Sequence, residues 1–317
     1  MTESVFPSPA SGGVSSSDRW KPNRSLSKLS QKIVVVIFGA FAMVSVFTTF
    51  GIIATLLFET IEFFLEVSPI HFFTSTRWTA LFAEPSFGVI VLMCGTFLTS
   101  VIGLLIAIPL GLLAAICLSE YSPRKLRAWL KPGLEVLAGV PTVVFGYFAL
   151  LMVTPVLQNI IPGLSVFNAL SAGIVLGFAI LPTIASLSED AIFAVPQSLR
   201  QGSYALGATK RETITGVVVP AALSGIVSSI ILGVARAVGE TMIVTLAAGQ
   251  SPTLTLDPRV SVQTMTSFIV QVTKGDAPYG TIEFKTLFAV GMTLFVITLI
   301  LNIFSFWFVR KFQEKYE

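Results

Sequence analysis

Apolar stretches of about 20 residues recur along the whole chain, and each is long enough to cross a bilayer core of about 30 Å as a helix. No other feature narrows the possible folds so far. Of the 317 residues, 54% are hydrophobic and only 12% charged, roughly half the charged fraction of an ordinary soluble domain. Length alone would allow two soluble domains; the apolar runs predict a single all-α membrane domain instead. Six transmembrane helices are expected, over about 33–58, 88–118, 136–157, 168–188, 222–247 and 285–309.

Residues 1–32 are polar and rich in Ser, Pro and Gly (SPASGGVSSSDRWKPNRSLSK), which predicts a disordered tail. The apolar run that follows is too long for the h-region of a cleavable signal peptide. The expected organisation is this tail, a transmembrane domain over 33–310 with a cytoplasmic loop at 189–221, and a short C-terminal tail over 311–317. Basic residues gather at both termini and in the second and fourth loops, among them Arg124, Lys131, Arg200 and Lys210, whereas only Arg77, Arg259, Lys274 and Lys285 fall on the other side. The positive-inside rule therefore puts both termini in the cytoplasm.

The net charge of +3 comes without a long basic run, so nothing supports a nucleic-acid surface. Cys94 and Cys117 fall in one predicted helix, roughly 35 Å apart at 1.5 Å per residue, and cannot pair. The only histidine, His71, lies in the first outer loop with no second His or Cys nearby, so a metal site has no basis and no cofactor is expected. Aromatic and Pro/Gly-rich outer stretches such as SPIHFFTSTRWTALF suit an interfacial cap or a docking surface.

The fourth loop reads as a structural part. Pro196 is placed for the first turn of a helix over about 197–206, Gly207 breaks it, and 210–218 starts a second helix before Pro220. Leu199, Tyr204, Leu206, Ile214 and Val217 make part of its surface apolar outside lipid, which predicts a protein partner. Residues 202–207, GSYALG, begin like a phosphate loop, but Ala208 and Thr209 follow where Lys and Ser/Thr are required, so ATP binding is not expected on this chain.

QGSYALGATKRETITGVVVPAA (201–222) resembles the EAA loop of ABC-importer permeases. Gly207 matches the glycine, Gly202 and Ser203 the two alanines, and Val217, Val219 and Pro220 the closing apolar residues and proline; Gln201 stands where the glutamate is expected, an amide that can still hydrogen-bond. The resemblance implies that Gln201, Gly202, Ser203, Ala205, Gly207, Ala208 and Thr209 meet a cytoplasmic ATPase dimer, within a type I ABC importer permease architecture. LAGVPTVVFG (137–146), SLSEDAIFAVP (186–196) and ILGVARAVGETMIV (231–244) together resemble the membrane subunits of the phosphate-specific transporter, and the long tail and sizeable first outer loop favour its C-type subunit. That likeness implies a second, related permease as heterodimer partner, an extracytoplasmic phosphate-binding protein, and a bacterial inner-membrane location.

Arg236 and Glu240 are the residues that an apolar span does not need. Arg236 lies roughly 21 Å along the predicted fifth helix from its cytoplasmic end, beyond snorkelling distance. A central arginine costs about 2.5–3.5 kcal/mol to insert and usually faces a bundle interior or a water-filled cavity. Glu240 follows at i+4, on the same helical face, and Gly225, Ser229 and Gly233 share that face. One reading is a close helix contact with an ion pair; the other is an anion path in which Arg236 exchanges between Glu240 and the anion, with the Thr241 hydroxyl nearby. Arginine suits a tetrahedral oxyanion because its planar fork holds two oxygens and stays charged. The expected function is a phosphate importer's permease. The alternatives are sulfate or molybdate as substrate, an intramembrane enzyme, disfavoured because no HExxH or GxSxG occurs, and a non-transporting anchor.

Overall fold

The computed structural model describes residues 24–312 apart from Ala83. The expected tail over 1–23 and the last residues, 313–317, lie outside that range. Where the tail was expected to continue to residue 32, a helix has already begun: α1 runs Arg24–Glu66.

Beyond α1 the chain forms α2 (Pro69–Thr74), α3 (Ile90–Ile116), α4 (Arg124–Ala138), α5 (Thr142–Phe148), α6 (Thr154–Gln158), α7 (Ala169–Phe193), α8 (Gln197–Ala205), α9 (Lys210–Thr213), α10 (Val219–Ala221), α11 (Leu223–Val238), α12 (Met242–Ala247), α13 (Met265–Gln271) and α14 (Ile282–Phe312). Among the described residues no strand forms beyond one antiparallel bridge, Trp78 to Phe87. The described residues up to Thr55 form one unit and those from Leu56 onward another. The first is a lone helix with Phe38, Phe41, Phe47 and Phe50 exposed, as lipid-facing side chains would be.

Four helices are long and apolar enough to cross a membrane, and six spans result if each of two bent pairs counts as one. Both bends fall near the expected starts of the third and fifth spans, at about 136 and 222. The third breaks between α4 and α5 with an angle of 84°, where Pro141 lacks an N–H and disfavours a helical conformation at Val140. Approaching the fifth, the chain turns by 69° between α10 and α11, just after Pro220.

The α3–α7 pair is the centre of the second unit, and small residues make it close. A Cβ added at Gly177 would lie 2.7 Å from the Gly103 carbonyl oxygen of α3. Ala107, Ala172, Leu176, Ile180 and Ile184 are buried around this contact. Without a hydrophobic drive between helices in lipid, such close backbone approach is what holds spans together.

The segments after α1 and after α12 pack into each other. Phe63, Phe72, Trp78, Phe87 and Phe268 form a buried edge-to-face aromatic cluster, with the Trp78 and Phe268 rings 4.8 Å apart. Of the aromatics expected to form a cap or docking surface, Phe72 and Trp78 thus build a local core, whereas Phe73, Phe82 and His71 are exposed. Two cations assigned to this side are neutralised: Lys285 pairs with Glu62 and Glu66, and Arg259 with Asp257. The Arg259 guanidinium holds the Asp257 carboxyl down at about 2, so the Asp257 turn stays ionised at any physiological pH.

Candidate functional site

The fifth span is interrupted where its charges lie. Helix α11 ends at Val238, Gly239 tightens the last turn, and a new short helix starts at Met242. Three backbone carbonyls at the break each accept a threonine hydroxyl: Gly239 from Thr241 (3.2 Å), Glu240 from Thr266 (2.7 Å) and Thr241 from Thr245 (2.6 Å). A broken helix inside a membrane protein persists only when its freed polar groups find such partners.

The break corrects the expected Arg236–Glu240 pair: among the described residues no ion pair joins them. Glu240 has left the helical register, and its Oε1 accepts from the backbone N–H groups of Met242 (3.2 Å) and Ile243 (3.4 Å). Arg236 sits in the last turn of α11 and donates through Nη1 to Thr183 Oγ1 on α7. Electrostatics explains the separation: a helix C-terminus favours a cation and an N-terminus an anion. Each charge has therefore gone to the helix end that stabilises it. The Thr241 hydroxyl is committed to Gly239, and Arg236 remains half-buried.

The stripe of small residues below Arg236 is a helix contact. Ser229 hydrogen-bonds Ser188 at 2.6 Å, and Cβ atoms added at Gly225 and Gly233 would collide with Ala191 and Ile184 of α7. On the α12 side of the break lie two cavities of about 320 and 560 Å³ that share Gln250 and Gln271; Thr245 and Leu246 of α12 line the second. Their polar lining is neutral, mostly amides and hydroxyls.

The fourth loop folds much as its sequence suggests. Helix α8 ends before Gly207, whose φ of 84° only glycine adopts without strain. Thr209 and Glu212 then form a reciprocal capping box that starts α9. The Thr209 hydroxyl and backbone N–H hold the Glu212 carboxyl below its ordinary value; this cap is intact above the ordinary glutamate pKa and lost as pH falls through the lowered one. Of the expected contact residues, Gln201, Gly202, Ala205, Gly207 and Thr209 are exposed. Ser203 instead turns inward to Thr213 Oγ1 (2.9 Å), and Ala208 is half-buried. Ile214 is buried, while Leu206 and Tyr204 are exposed; the apolar surface offered to a partner is narrower than the sequence implies.

Residues 107–316 match the family described as binding-protein-dependent transport system inner membrane component. The chain belongs to that family. The probable ABC transporter permease protein YqgH of Bacillus subtilis is 35% identical over 280 residues, 88% of this chain and 89% of that protein. The phosphate transport system permease protein PstC of Haemophilus influenzae is 32% identical, covering 77% of this chain and 82% of its own length. The fold matches that of the inward-facing MetNI methionine ABC transporter, with a TM-score of 0.53, 19% identity, and coverage of 72% of this chain and 95% of that one. This permease is therefore a multi-pass inner-membrane transport subunit of type I ABC importer architecture; ATP hydrolysis and ligand capture belong to separate ATPase and binding-protein subunits.

Several residues of the permease that matter to this geometry escape sequence reading. Thr183 holds Arg236 across 53 positions of chain. Glu189, about 1% exposed, is clamped by Arg127 at 2.6 Å and Lys131 at 2.9 Å, which fastens α4 to α7. Arg200 of α8 is paired with Glu120 beyond the end of α3. The signal available was charge in otherwise small-residue or apolar context, as in SLSEDAIF; the partner could not be inferred. Because Glu240 is bonded through an oxygen that an amide also carries, Glu240→Gln is expected to keep uptake within about threefold, while Glu240→Ala, losing both bonds, lowers the stability of the detergent-solubilised permease by about 1–2 kcal/mol. Thermal unfolding beside an uptake assay checks both; loss of uptake in the Gln variant would show that the charge itself is required.

Proposed function

We propose that this permease carries inorganic phosphate into the cytoplasm, using Arg236 as a fixed cation at the break in the fifth span. The observation that carries this reading is the half-buried guanidinium at the end of α11, which donates to a neutral hydroxyl and, among the described residues, joins no ion pair. Discontinuous helices are where membrane transporters place their substrate sites, and a guanidinium bonded to a hydroxyl can exchange that partner for an oxyanion without leaving a buried charge unpaired. Relatives named phosphate transport permeases, 31–33% identical over about three quarters of the chain, support the same substrate.

In this reading Glu240 anchors α12 rather than competing for Arg236, and Thr241 stays with the backbone. The neutral cavities beyond α12 form the outer approach, where hydrogen-bond donors guide an anion without trapping it, as conduction requires. Residues 33–310 are the permease domain, both tails are cytoplasmic, and loop 189–221 meets an ATPase dimer through Gln201, Gly202, Ala205, Gly207 and Thr209. A related permease completes the membrane dimer, and a phosphate-binding protein docks outside. An anchor role would leave Arg236 only as the cation at the end of α11.

The test is ATP-driven uptake of labelled phosphate by proteoliposomes holding the complete complex, with excess sulfate or molybdate as competitor. Uptake that withstands both is expected. Displacement by sulfate or molybdate would reassign the substrate, and absence of any uptake would leave the anchor reading.

A further inference from the structure

Arg200 lies on the inward side of α8 with only 6% of its surface exposed. Its guanidinium ties three elements at one point. Nη2 and Nε donate to Glu120 Oε1 at 2.8 and 3.3 Å, Nη2 also donates to the carbonyl of Ile192 at 2.9 Å, and Nη1 donates to the carbonyl of Val195. Glu120 belongs to the wider turn that continues α3, and Ile192 to the last turn of α7. Both side chains of the ion pair are more than nine-tenths buried.

Stability is a poor account of this arrangement, because a buried ion pair can often be replaced by apolar side chains at no loss. What the planar fork supplies is fixed geometry: donors in one rigid plane, aimed at acceptors on two different helices. The route along the chain has no such stiffness. Beyond the Ser203–Thr213 hydroxyl contact at 2.9 Å, it passes Gly207, where nothing packs in the place a side chain would take, and then the 69° bend into α11. A push on α8 transmitted only along the backbone would be taken up at those two points. By contrast, α3 and α7 are in close backbone contact through Gly103 and Gly177.

We infer that Arg200 is a positioning residue that passes displacement of α8 to the α3–α7 pair, so that the load enters the membrane core through this guanidinium rather than through α11. The inference rests on reading loop 189–221 as the ATPase-facing element. It predicts a specific defect in which ATP is hydrolysed and substrate is not moved.

The experiment compares phosphate transported per ATP hydrolysed in proteoliposomes of the complete complex, for wild type, Arg200→Lys and the double variant Glu120→Leu with Arg200→Met. The double variant leaves no buried charge unpaired, so assembly is expected to survive. Hydrolysis should stay within about twofold while phosphate per ATP falls about tenfold or more, and Arg200→Lys, which keeps the charge without the fork, should fall between. A double variant with the wild-type ratio, including one in which hydrolysis and transport decline together, overturns the inference; so does one that fails to assemble, since the pair would then serve folding. If wild type hydrolyses ATP without moving phosphate, the substrate reading fails by itself. The inference is then decided by nitroxides at Ser198→Cys and Leu187→Cys, in a background lacking Cys94 and Cys117. Their distance should be unchanged by ATP in the wild-type background and altered in the double variant; equal behaviour in both overturns it.

Discussion

Arg236→Gln is expected to lower ATP-driven phosphate uptake by about ten- to a hundredfold, the factor that corresponds to losing one charge-assisted interaction of about 1.5–3 kcal/mol. Assembly should be unaffected. A glutamine amide can still donate to the Thr183 hydroxyl, and removing a cation from the interior of a span relieves an insertion cost of about 2.5–3.5 kcal/mol. Arg236→Lys keeps the charge but replaces a two-oxygen fork by a single point, so an intermediate rate is expected. The measurement is initial uptake at matched amounts of assembled complex, with ATP hydrolysis followed in the same vesicles. Hydrolysis that continues while uptake collapses supports a role in the path; uptake equal to wild type would reduce Arg236 to the cap of a broken helix.

The largest structural effect is expected at Gly177. Even a methyl group there would meet the Gly103 carbonyl oxygen at 2.7 Å, and that oxygen belongs to helical backbone which cannot swing aside. Gly177→Leu therefore forces α3 and α7 apart along the contact that buries Ala107, Leu176 and Ile180. Overpacking costs about 1–3 kcal/mol where side chains can adjust, and here backbone must move, so failure of the permease to accumulate in the membrane is expected. Gly177→Ala should accumulate with lowered thermal stability in detergent. Immunodetection in membrane fractions and thermal unfolding check the pair, and normal accumulation of the Leu variant would mean that α3 and α7 are not in backbone contact.

The Arg236 and Gly177 expectations draw on different levels of information. That residue 236 is charged inside an apolar span is visible in the sequence; that its partner is Thr183 is not, because the two are brought together by the α7–α11 crossing. The expectation of an Arg236–Glu240 pair assumed that helical periodicity continues through residue 240. Gly239 was the available warning, since a glycine just past a periodic segment commonly marks a helix end. Helical periodicity puts Gly225, Ser229 and Gly233 on one face, yet which neighbour that face meets, α7 or an aqueous path, is a property of packing.

The sequence by itself determined the membrane class, the number of spans and the helix–turn–helix of the fourth loop, because hydrophobic length, caps and turn glycines act within a few residues of chain. Tertiary structure alone decided the break at 239–241, the separation of the two charges and the Arg200–Glu120 tie. A helix inside a membrane stops only where other segments satisfy its freed backbone, and here Thr266 arrives from 26 positions away. A buried guanidinium likewise settles wherever acceptors converge, and for Arg200 one of them lies 80 positions earlier.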